Sequence, residues 1–146
     1  MTTSSPPGVI IRPSVAEDAE AIQTLIEGFV ERQLLLERTI DELRGLTRFG
    51  FIAEDQGQVI GFCAVEIYSR KLAEIQCLAV ADSHQGKGIG RRLVQGCIRL
   101  AKAHNILELM AISSSDAFLK ECGFDYSLPN QKRALFMHPA SLDDED

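Results

Sequence analysis

The 146-residue sequence lacks long hydrophobic runs and has no recognisable secretion signal. No stretch approaches the roughly 20 apolar residues that a membrane-spanning helix needs. The N-terminus has no charged segment followed by an apolar one. At 45% hydrophobic and 25% charged residues, the composition is that of an ordinary globular protein. We therefore expect a soluble, cytoplasmic protein that makes no contact with a membrane.

The sequence also lacks the residue spacings of a metal or redox site. Its four cysteines are Cys63, Cys77, Cys97 and Cys122, and no pair of them has the C-x-x-C spacing. Its three histidines are equally scattered. The sequence therefore predicts no metal and no disulfide. Cys63 and Cys77 lie in apolar runs, which predicts that they are small core residues.

A basic excess is the third feature that is missing. Fifteen basic and 21 acidic side chains give a net charge of −6, and residues 143–146 are all acidic. The rest of the chain, with 15 basic and 17 acidic side chains, carries a charge of −2. Nucleic acids and anionic membranes attract proteins through positive charge. The charge balance therefore excludes both as expected partners.

The composition along the chain predicts one domain with two short flanking segments. Residues 1–8 contain Thr, Ser and two prolines and are expected to form a flexible leader. Residues 140–146 are expected to form a solvated acidic tail. Between them, residues 9–139 show no linker and no internal repeat, and their length fits one domain.

Hydrophobic periodicity predicts an α/β protein whose helices cover a mixed sheet. Capping boxes at Ser14–Glu17 and Thr39–Glu42 predict two helix starts. The residues Asp55-Gln56-Gly57-Gln58 predict a hairpin turn. The predicted strands are Val9–Arg12, Phe49–Glu54, Val59–Tyr68, Lys71–Val80, Ile106–Ile112 and a closing pair, Phe124–Leu128 with Lys132–His138. The predicted helices begin at Ser14, near Asp41, near Gly88, and at Ser115 or Asp116.

A glycine-rich loop joins a buried strand to an amphipathic helix at residues 85–92, Gln-Gly-Lys-Gly-Ile-Gly-Arg-Arg. Arg91 stands where a Rossmann fingerprint requires glycine, and the spacing of a Walker loop is missing. The loop offers backbone amides at a helix N-terminus, together with the cations Lys87, Arg91 and Arg92. Such a setting suits a pyrophosphate. The alternative is a glycine-rich turn with surface cations.

At this loop the sequence resembles the GCN5-related N-acetyltransferases. Their signature is a strand, then Gln or Arg-x-x-Gly-x-Gly or Ala, then a helix, and residues 85–90 match it. Leu78-Ala79-Val80 resembles the end of the family's fourth strand, and residues 118–124 resemble its aromatic-x-x-x-x-Gly-Phe element. The resemblance implies an α/β (α+β) GNAT fold. In that fold a mixed, mostly antiparallel sheet splays between two central parallel strands and carries helices on both faces.

The resemblance implies acetyl-CoA as cosubstrate and no metal. The pyrophosphate would bind the amides of Gly86 to Arg91, and the pantetheine arm would pair with Leu78 and Val80 like an added strand. Phe118 would lie along that arm and Lys120 near the nucleotide end; plain core packing is the alternative for Phe118. The implied cofactor residues are Leu78, Ala79, Val80, Gln85, Gly86, Lys87, Gly88, Ile89, Gly90, Arg91, Phe118 and Lys120.

Within the family, the sequence is similar to the acetyltransferase domain of N-acetylglutamate synthases, in residues 35–43, 72–80 and 128–132. This likeness implies amino-acid N-acetylation, as in arginine biosynthesis, with glutamate as acceptor. Transfer to an amine needs a base, and Glu74 matches the family position, with Glu66 in reserve. A solvated acid at a strand start is the alternative for Glu74. Phe118 stands where a tyrosine often acts as the general acid, and Tyr126 is out of register.

An acidic acceptor would need cations, and Arg38 matches an arginine of the synthases. Lys132 and Arg133 are further substrate-binding candidates, and surface solubility is the alternative for all three. Two other functions stay open: acetylation of another small amine or a protein N-terminus, and an acetyl-CoA-binding regulatory module with weak catalysis. Exposed strand edges and the closing hairpin would allow a homodimer, which is common in this family.

Overall fold

The computed structural model describes residues 8–113, 116–126 and 135–141. The strands are β1 (Val9–Pro13), β2 (Gly50–Asp55), β3 (Gln58–Ile67), β4 (Leu72–Val80) and β5 (Glu108–Met110). The α-helices are α1 (Ala19–Glu31), α2 (Ile40–Leu46), α3 (Ile89–Ala103) and α4 (Asp116–Glu121). Short 3₁₀ segments lie at Ala16–Asp18, Thr47–Phe49, Asp82–His84 and Pro139–Ser141.

The described strands form one sheet in the order β1-β2-β3-β4-β5. The first four strands are antiparallel neighbours, and β5 pairs with β4 in parallel after the α3 crossover. The predicted hairpin between β2 and β3 is confirmed. Its two central residues, Gln56 and Gly57, have φ angles of 50° and 80°, as a type I′ turn requires. The predicted α/β fold with a mixed sheet is therefore confirmed.

Helices cover both faces of this sheet, as the resemblance implies. On one face α1 and α2 pack against the sheet through buried residues that include Ile22, Ile26 and Leu43. On the other face α3 contributes Leu93, Val94 and Cys97. Cys63 and Cys77 are buried, in agreement with the prediction that they are core residues. The sheet thus has no open face in its central part.

The two predicted capping boxes have different outcomes. At α2 the box is confirmed: the Glu42 amide donates to Thr39 Oγ1 and the Thr39 amide donates to the Glu42 carboxylate, both at 3.1 Å. The Ser14–Glu17 box is wrong. The Ser14 hydroxyl instead donates to the Thr47 carbonyl at 2.8 Å. The Asp18 carboxylate accepts the Val15 amide at 2.8 Å, one residue later than the sequence pattern predicts.

The predicted closing strand pair is wrong in its described parts. Residues 124–126 and 135–138 form no strand, and residues 127–134 lie outside the described part of the chain, with the predicted substrate-binding Lys132 and Arg133. Among the described residues, no helix has the length and apolar character to cross a bilayer. No group of three or more potential metal-ligating side chains is found in the same ranges.

Candidate functional site

A cavity of about 530 Å³ lies where β4 ends and α3 begins. It brings together ten of the twelve predicted cofactor residues. They come from the end of β4, the glycine-rich loop, the first turn of α3, and α4: Leu78, Ala79, Val80, Gln85, Gly86, Gly88, Ile89, Gly90, Arg91 and Phe118. Lys87 and Lys120 do not line this cavity, and the Lys120 ammonium lies 4.3 Å from the centre of the Tyr126 ring. The sequence-distant segments therefore meet at one end of the sheet.

A β-bulge in β4 shapes the wall of this cavity. Phe62 pairs with Ala79 and Ala64 pairs with Gln76, so Cys63 of β3 lies opposite two residues of β4, Cys77 and Leu78. Cys77 has a φ angle of 58°, which costs a non-glycine residue on the order of 1–3 kcal/mol. Strain of this kind persists only where surrounding packing enforces it, and Cys77 is 6% exposed.

The bulge corrects the strand faces that simple alternation predicts. Alternation places Leu78 and Val80 on the face of Glu74 and Gln76. Because the bulge inserts one residue, Leu78 and Val80 instead pack with the α3 core. Cys77 and Ala79 pack with the α1 core. The bulge therefore turns the apolar side chains of Leu78 and Val80 towards the cavity beside α3.

The parallel pair of strands separates next to the cavity. The β4–β5 pairing ends at Glu74 and Met110. Beyond it, residues 75–80 of β4 pair with β3 on one edge, whereas the other edge has no described strand partner. A free strand edge presents unpaired backbone donors and acceptors to an extended ligand. This edge can therefore accept a chain-like group with amide bonds.

The glycine-rich loop lines the same cavity. Gly86 and Gly88 have φ angles of 76° and 81°, in the left-handed region that favours glycine. Gly88 precedes α3, and among the described residues no side chain caps the first turn of that helix. The first amides of a helix have no intrahelical partner, and the helix dipole favours an anion at this end. Gln85 holds the loop in place, since its side-chain nitrogen Nε2 donates to the Val80 carbonyl at 3.0 Å.

Arg91 supplies an observation in favour of an anionic ligand. It lines the cavity, and its Nε atom is buried with no hydrogen-bond partner among the described residues. A buried unpaired donor of a charged group is costly, and a phosphate oxygen would satisfy it. The exposed amides, the Arg91 donor and the open β4 edge together fit the pyrophosphate and the pantetheine arm of a coenzyme A molecule.

A second cluster of polar side chains lies further back along β4. Arg38, from the segment between α1 and α2, donates to Gln76 Oε1 at 2.8 Å. Gln76 Nε2 lies 3.5 Å from the Tyr68 hydroxyl, which donates to the Glu74 carboxylate at 2.6 Å. None of these four residues lines the cavity. Glu74 lies four residues before Leu78, so their Cα atoms are separated by at most about 13 Å. The structure thus joins the predicted base and the predicted acceptor arginine in one cluster.

The aromatic residues of the α4 region occupy different surroundings. Phe118 lines the cavity and also packs against the α3 core, so the two interpretations of this residue are compatible. A Cβ built on Gly90 would lie 3.5 Å from the Phe118 ring. Tyr126 does not line the cavity, and its hydroxyl donates to the Asp116 carboxylate. That hydrogen bond raises the pKa of Tyr126, which keeps its proton on the phenol.

Three cavity residues were missed by the sequence reasoning: Phe29, His84 and Glu121. His84 Nε2 lies 2.8 Å from Asp55 Oδ2, and His84 Nδ1 lies 2.8 Å from Ser83 Oγ. These contacts tie the 3₁₀ segment before the glycine-rich loop to the β2–β3 turn. His84 directly precedes the glycine-rich loop in the sequence, and this position could have identified it. Phe29 lies in α1, and only tertiary packing brings it to the cavity.

Comparison with known proteins decides the family. The model of the acetyltransferase (GNAT) family matches residues 16–124. The chain belongs to this family. It is a GNAT enzyme that transfers an acetyl group from acetyl-CoA to an amine. The resemblance that the glycine-rich loop indicated is therefore confirmed.

Two relatives and one solved structure show where this GNAT chain is similar to known enzymes. An uncharacterized N-acetyltransferase of Chlorobaculum tepidum is 34% identical over 114 residues, which cover 78% of this chain and 74% of that protein. An amino-acid acetyltransferase of Neisseria meningitidis is 30% identical over 131 residues, 86% of this chain and 30% of its own length. N-acetylglutamate synthase from Neisseria gonorrhoeae, complexed with coenzyme A and N-acetyl-glutamate, has a TM-score of 0.71 at 29% identity.

That structural match covers 81% of this GNAT chain and 28% of the synthase chain. The chain therefore spans less than a third of the two Neisseria enzymes that it matches.

Proposed function

We propose that this enzyme acetylates the α-amino group of an acidic amino acid, with L-glutamate as the preferred acceptor. The observation that carries the proposal is the position of Arg38. Its guanidinium is fixed by Gln76 on β4, two residues from the candidate base Glu74. Arginine binds carboxylates in a planar, two-point geometry. A cation next to the base suits a substrate whose amine and carboxylate lie a few bonds apart.

The relatives support the same acceptor class. The Neisseria meningitidis relative is named an amino-acid acetyltransferase, and the Neisseria gonorrhoeae structure contains coenzyme A and N-acetyl-glutamate. The two matches cover 86% and 81% of this chain. We propose arginine biosynthesis as the setting of this enzyme.

The proposed cofactor site is the cavity. Acetyl-CoA supplies the acetyl group as an activated thioester. The loop amides and Arg91 would hold its pyrophosphate, the β4 edge its pantetheine arm, and Phe118 would pack along that arm. Lys87 remains a proposed contact of the pyrophosphate and Lys120 a proposed contact near the nucleotide end, although neither lines the cavity. A main-chain amide beside the bulge, near Leu78, would stabilise the developing oxyanion.

The amine must lose a proton before or during its attack, and Glu74 is the proposed base. Its carboxylate accepts a hydrogen bond from Tyr68 and would take the proton directly or through a water molecule. Cys77 is a poor alternative as an acetyl-carrying nucleophile. Burial raises the pKa of its thiol to about 11, although the nearby Arg38 charge acts in the opposite direction. A thiol that is protonated at neutral pH favours direct transfer to the amine.

Phe118 carries no hydroxyl, so it cannot act as the general acid of the reaction. Coenzyme A would therefore leave as a thiolate. Other small amines and protein N-termini remain alternative acceptors. A binding module with weak catalysis is the alternative from another class, and the missing tyrosine is the feature that favours it.

The test combines an acceptor panel with two variants. Purified enzyme is incubated with acetyl-CoA and with glutamate, aspartate, glutamine, lysine or a peptide N-terminus, and free thiol and the acetylated product are measured. We expect the highest kcat/KM with glutamate. Arg38→Ala should raise the KM for glutamate by about 10- to 100-fold, because a hydrogen-bonded charge pair is lost, and should leave the KM for acetyl-CoA unchanged.

Arg44→Ala is the matched control. Arg44 is an exposed arginine on α2 that pairs with Asp41 at 2.8 Å, so its removal should change neither KM. Equal effects of Arg38→Ala on both substrates, or on neither, would contradict the assignment of Arg38. Glu74→Gln should lower kcat most at neutral pH, and an unchanged pH–rate profile would remove Glu74 as the base. Binding of acetyl-CoA without turnover would favour the regulatory module.

A further inference from the structure

Tyr68 lies at the centre of the polar cluster on β4, although no sequence pattern singled it out. It follows β3, and its hydroxyl donates to Glu74 Oε1 at 2.6 Å. The Gln76 side-chain nitrogen approaches the same hydroxyl at 3.5 Å. Gln76 in turn accepts a hydrogen bond from Arg38 at 2.8 Å. The four side chains form a chain of contacts from the proposed acceptor arginine to the proposed base.

The donors and acceptors of this chain have only one consistent direction. The Arg38 guanidinium can only donate, so the Gln76 oxygen must face it and the Gln76 nitrogen must face Tyr68. The Tyr68 hydroxyl can then give its single proton only to Glu74. This hydrogen bond and the nearby carboxylates raise the pKa of Tyr68 to about 12. Tyr68 therefore stays protonated, and stays a donor, throughout the pH range in which the enzyme would work.

The other groups that face Glu74 make this single donor important. Glu66 lies directly opposite Glu74 across the β3–β4 pair, and two neighbouring carboxylates repel each other. The residue that pairs with Glu74 on β5 is the uncharged Met110. Arg38, the nearest cation of this cluster, is separated from Glu74 by Gln76 and Tyr68. The Tyr68 hydroxyl thus distinguishes Glu74 from Glu66.

We propose that Tyr68 is a positioning residue for acetyl transfer, holding the Glu74 carboxylate in a fixed orientation towards the acceptor amine. This inference depends on the proposed function, in which Glu74 takes the proton of that amine. Gln76 contacts the Tyr68 hydroxyl through its side-chain nitrogen and Arg38 through its side-chain oxygen. Binding of an acidic acceptor at Arg38 and orientation of the base are therefore linked through two neutral side chains.

The kinetic test uses Tyr68→Phe, which keeps the ring and removes the hydroxyl. We expect kcat with glutamate to fall about 10-fold at pH 7, since a hydrogen bond to a charged group is lost. The KM for glutamate should stay close to the wild-type value, because the hydroxyl contacts the base and not the acceptor. The KM for acetyl-CoA should not change.

The chain offers a matched control, since it contains two tyrosines. The Tyr126 hydroxyl also donates to a carboxylate, that of Asp116 on α4. Tyr126→Phe should therefore leave kcat at the wild-type value. A wild-type kcat for Tyr68→Phe would overturn the proposal. A fall in kcat together with a rise in both KM values and a lowered melting temperature would also overturn it, because it would indicate a structural role alone.

A spectroscopic test reports the Tyr68–Glu74 contact without any acetyl transfer. In a Tyr126→Phe background Tyr68 is the only tyrosine, and its ionisation is followed by ultraviolet absorbance at pH 10.5, with circular dichroism to verify the fold. We expect Tyr68 to stay protonated there, and its ionised fraction to rise when Glu74→Gln is added. An unchanged ionised fraction in that double variant would contradict the contact.

The two tests separate failure of this inference from failure of the proposed function. If the wild-type enzyme acetylates glutamate and Tyr68→Phe has the wild-type kcat, only the role of Tyr68 is refuted. If Tyr68 responds to Glu74→Gln but the wild-type enzyme acetylates no amine, the proposed function is refuted and the role of Tyr68 with it, while the hydrogen bond stands.

Discussion

Gly88 and Gly90 lie two residues apart at the start of α3, and the same substitution should have opposite effects at the two positions. Gly88 has a φ angle of 81°. An alanine in this left-handed conformation costs about 1–2 kcal/mol. Gly90 lies inside α3, where replacement of glycine by alanine stabilises a helix by about 0.5–1 kcal/mol.

The space around Gly90 is compatible with a stabilising effect of alanine at this position. A Cβ at Gly90 would lie 3.5 Å from Phe118 Cζ and 3.7 Å from Val80 Cγ2, which are ordinary van der Waals distances. No backbone strain is added, because Gly90 does not have a positive φ angle. Gly90→Ala should therefore be more stable than the wild type, whereas Gly88→Ala should be less stable.

The assay is urea denaturation, with acetyl-CoA affinity measured by calorimetry in parallel. The two variants should differ by about 1.5–3 kcal/mol in unfolding free energy, the sum of the two effects. Each kcal/mol corresponds to a shift in Tm of about 2–4 °C for a chain of this size. Gly88→Ala should also weaken acetyl-CoA binding, since the loop must change its backbone angles. Equal stability of the two variants, or Gly88→Ala being the more stable, would refute the reasoning.

Two further predictions concern charged groups. Arg91→Gln should raise the Kd for acetyl-CoA, measured by calorimetry, by about 10-fold at low salt, with a smaller effect in about 0.5 M salt. Arg99→Gln, at an exposed arginine of α3, is the control. An equal rise in Kd for Arg99→Gln would contradict the assignment of Arg91 to the acetyl-CoA site. Arg12 donates to Asp18 at 2.8 Å and lowers the pKa of that buried carboxyl. This ion pair therefore stabilises the folded state above pH 3.8, the ordinary pKa of the group. The stabilisation is lost as the pH falls through the lower pKa of the folded state. Asp18→Asn should therefore cost about 1–3 kcal/mol at pH 7 and much less near pH 2 in urea denaturation; a pH-independent cost would refute this assignment.

The glycine-rich loop shows which parts of the site can be predicted from the sequence. Residues 85–90 carry a local motif whose function depends on backbone amides and on the helix that follows. Both depend on residues that are neighbours in the chain, so a short window of sequence contains the necessary information. The structure places this loop against the cavity, and the family comparison agrees with the motif.

The two capping boxes show where local patterns stop being sufficient. Thr39 and Glu42 cap α2 as predicted, through two reciprocal hydrogen bonds between residues three positions apart. Ser14 has the same local signature, yet its hydroxyl bonds to Thr47, 33 residues away. A buried hydroxyl takes whichever acceptor the packed chain brings to it. The sequence pattern contains no information about that acceptor.

The β4 strand shows the same limit at the site itself. Its apolar character and its role as a buried strand were predictable from residues 71–80. The bulge at Cys77 was not, because the insertion is defined by the register with β3. One extra residue exchanges the faces of all the residues that follow, and Leu78 and Val80 therefore lie on the opposite side from the predicted one.

For this protein, the sequence by itself determined the helices and strands with clear periodicity, the hairpin at Gln56 and Gly57, the glycine-rich loop between β4 and α3, and the family. Each of these depends on patterns of residues close in the chain. The tertiary structure decided which side chains meet: Phe29 at the cavity, His84 against Asp55, and Tyr68 between Glu74 and Gln76. Those contacts depend on strand register and on helix packing, and a short segment of sequence specifies neither.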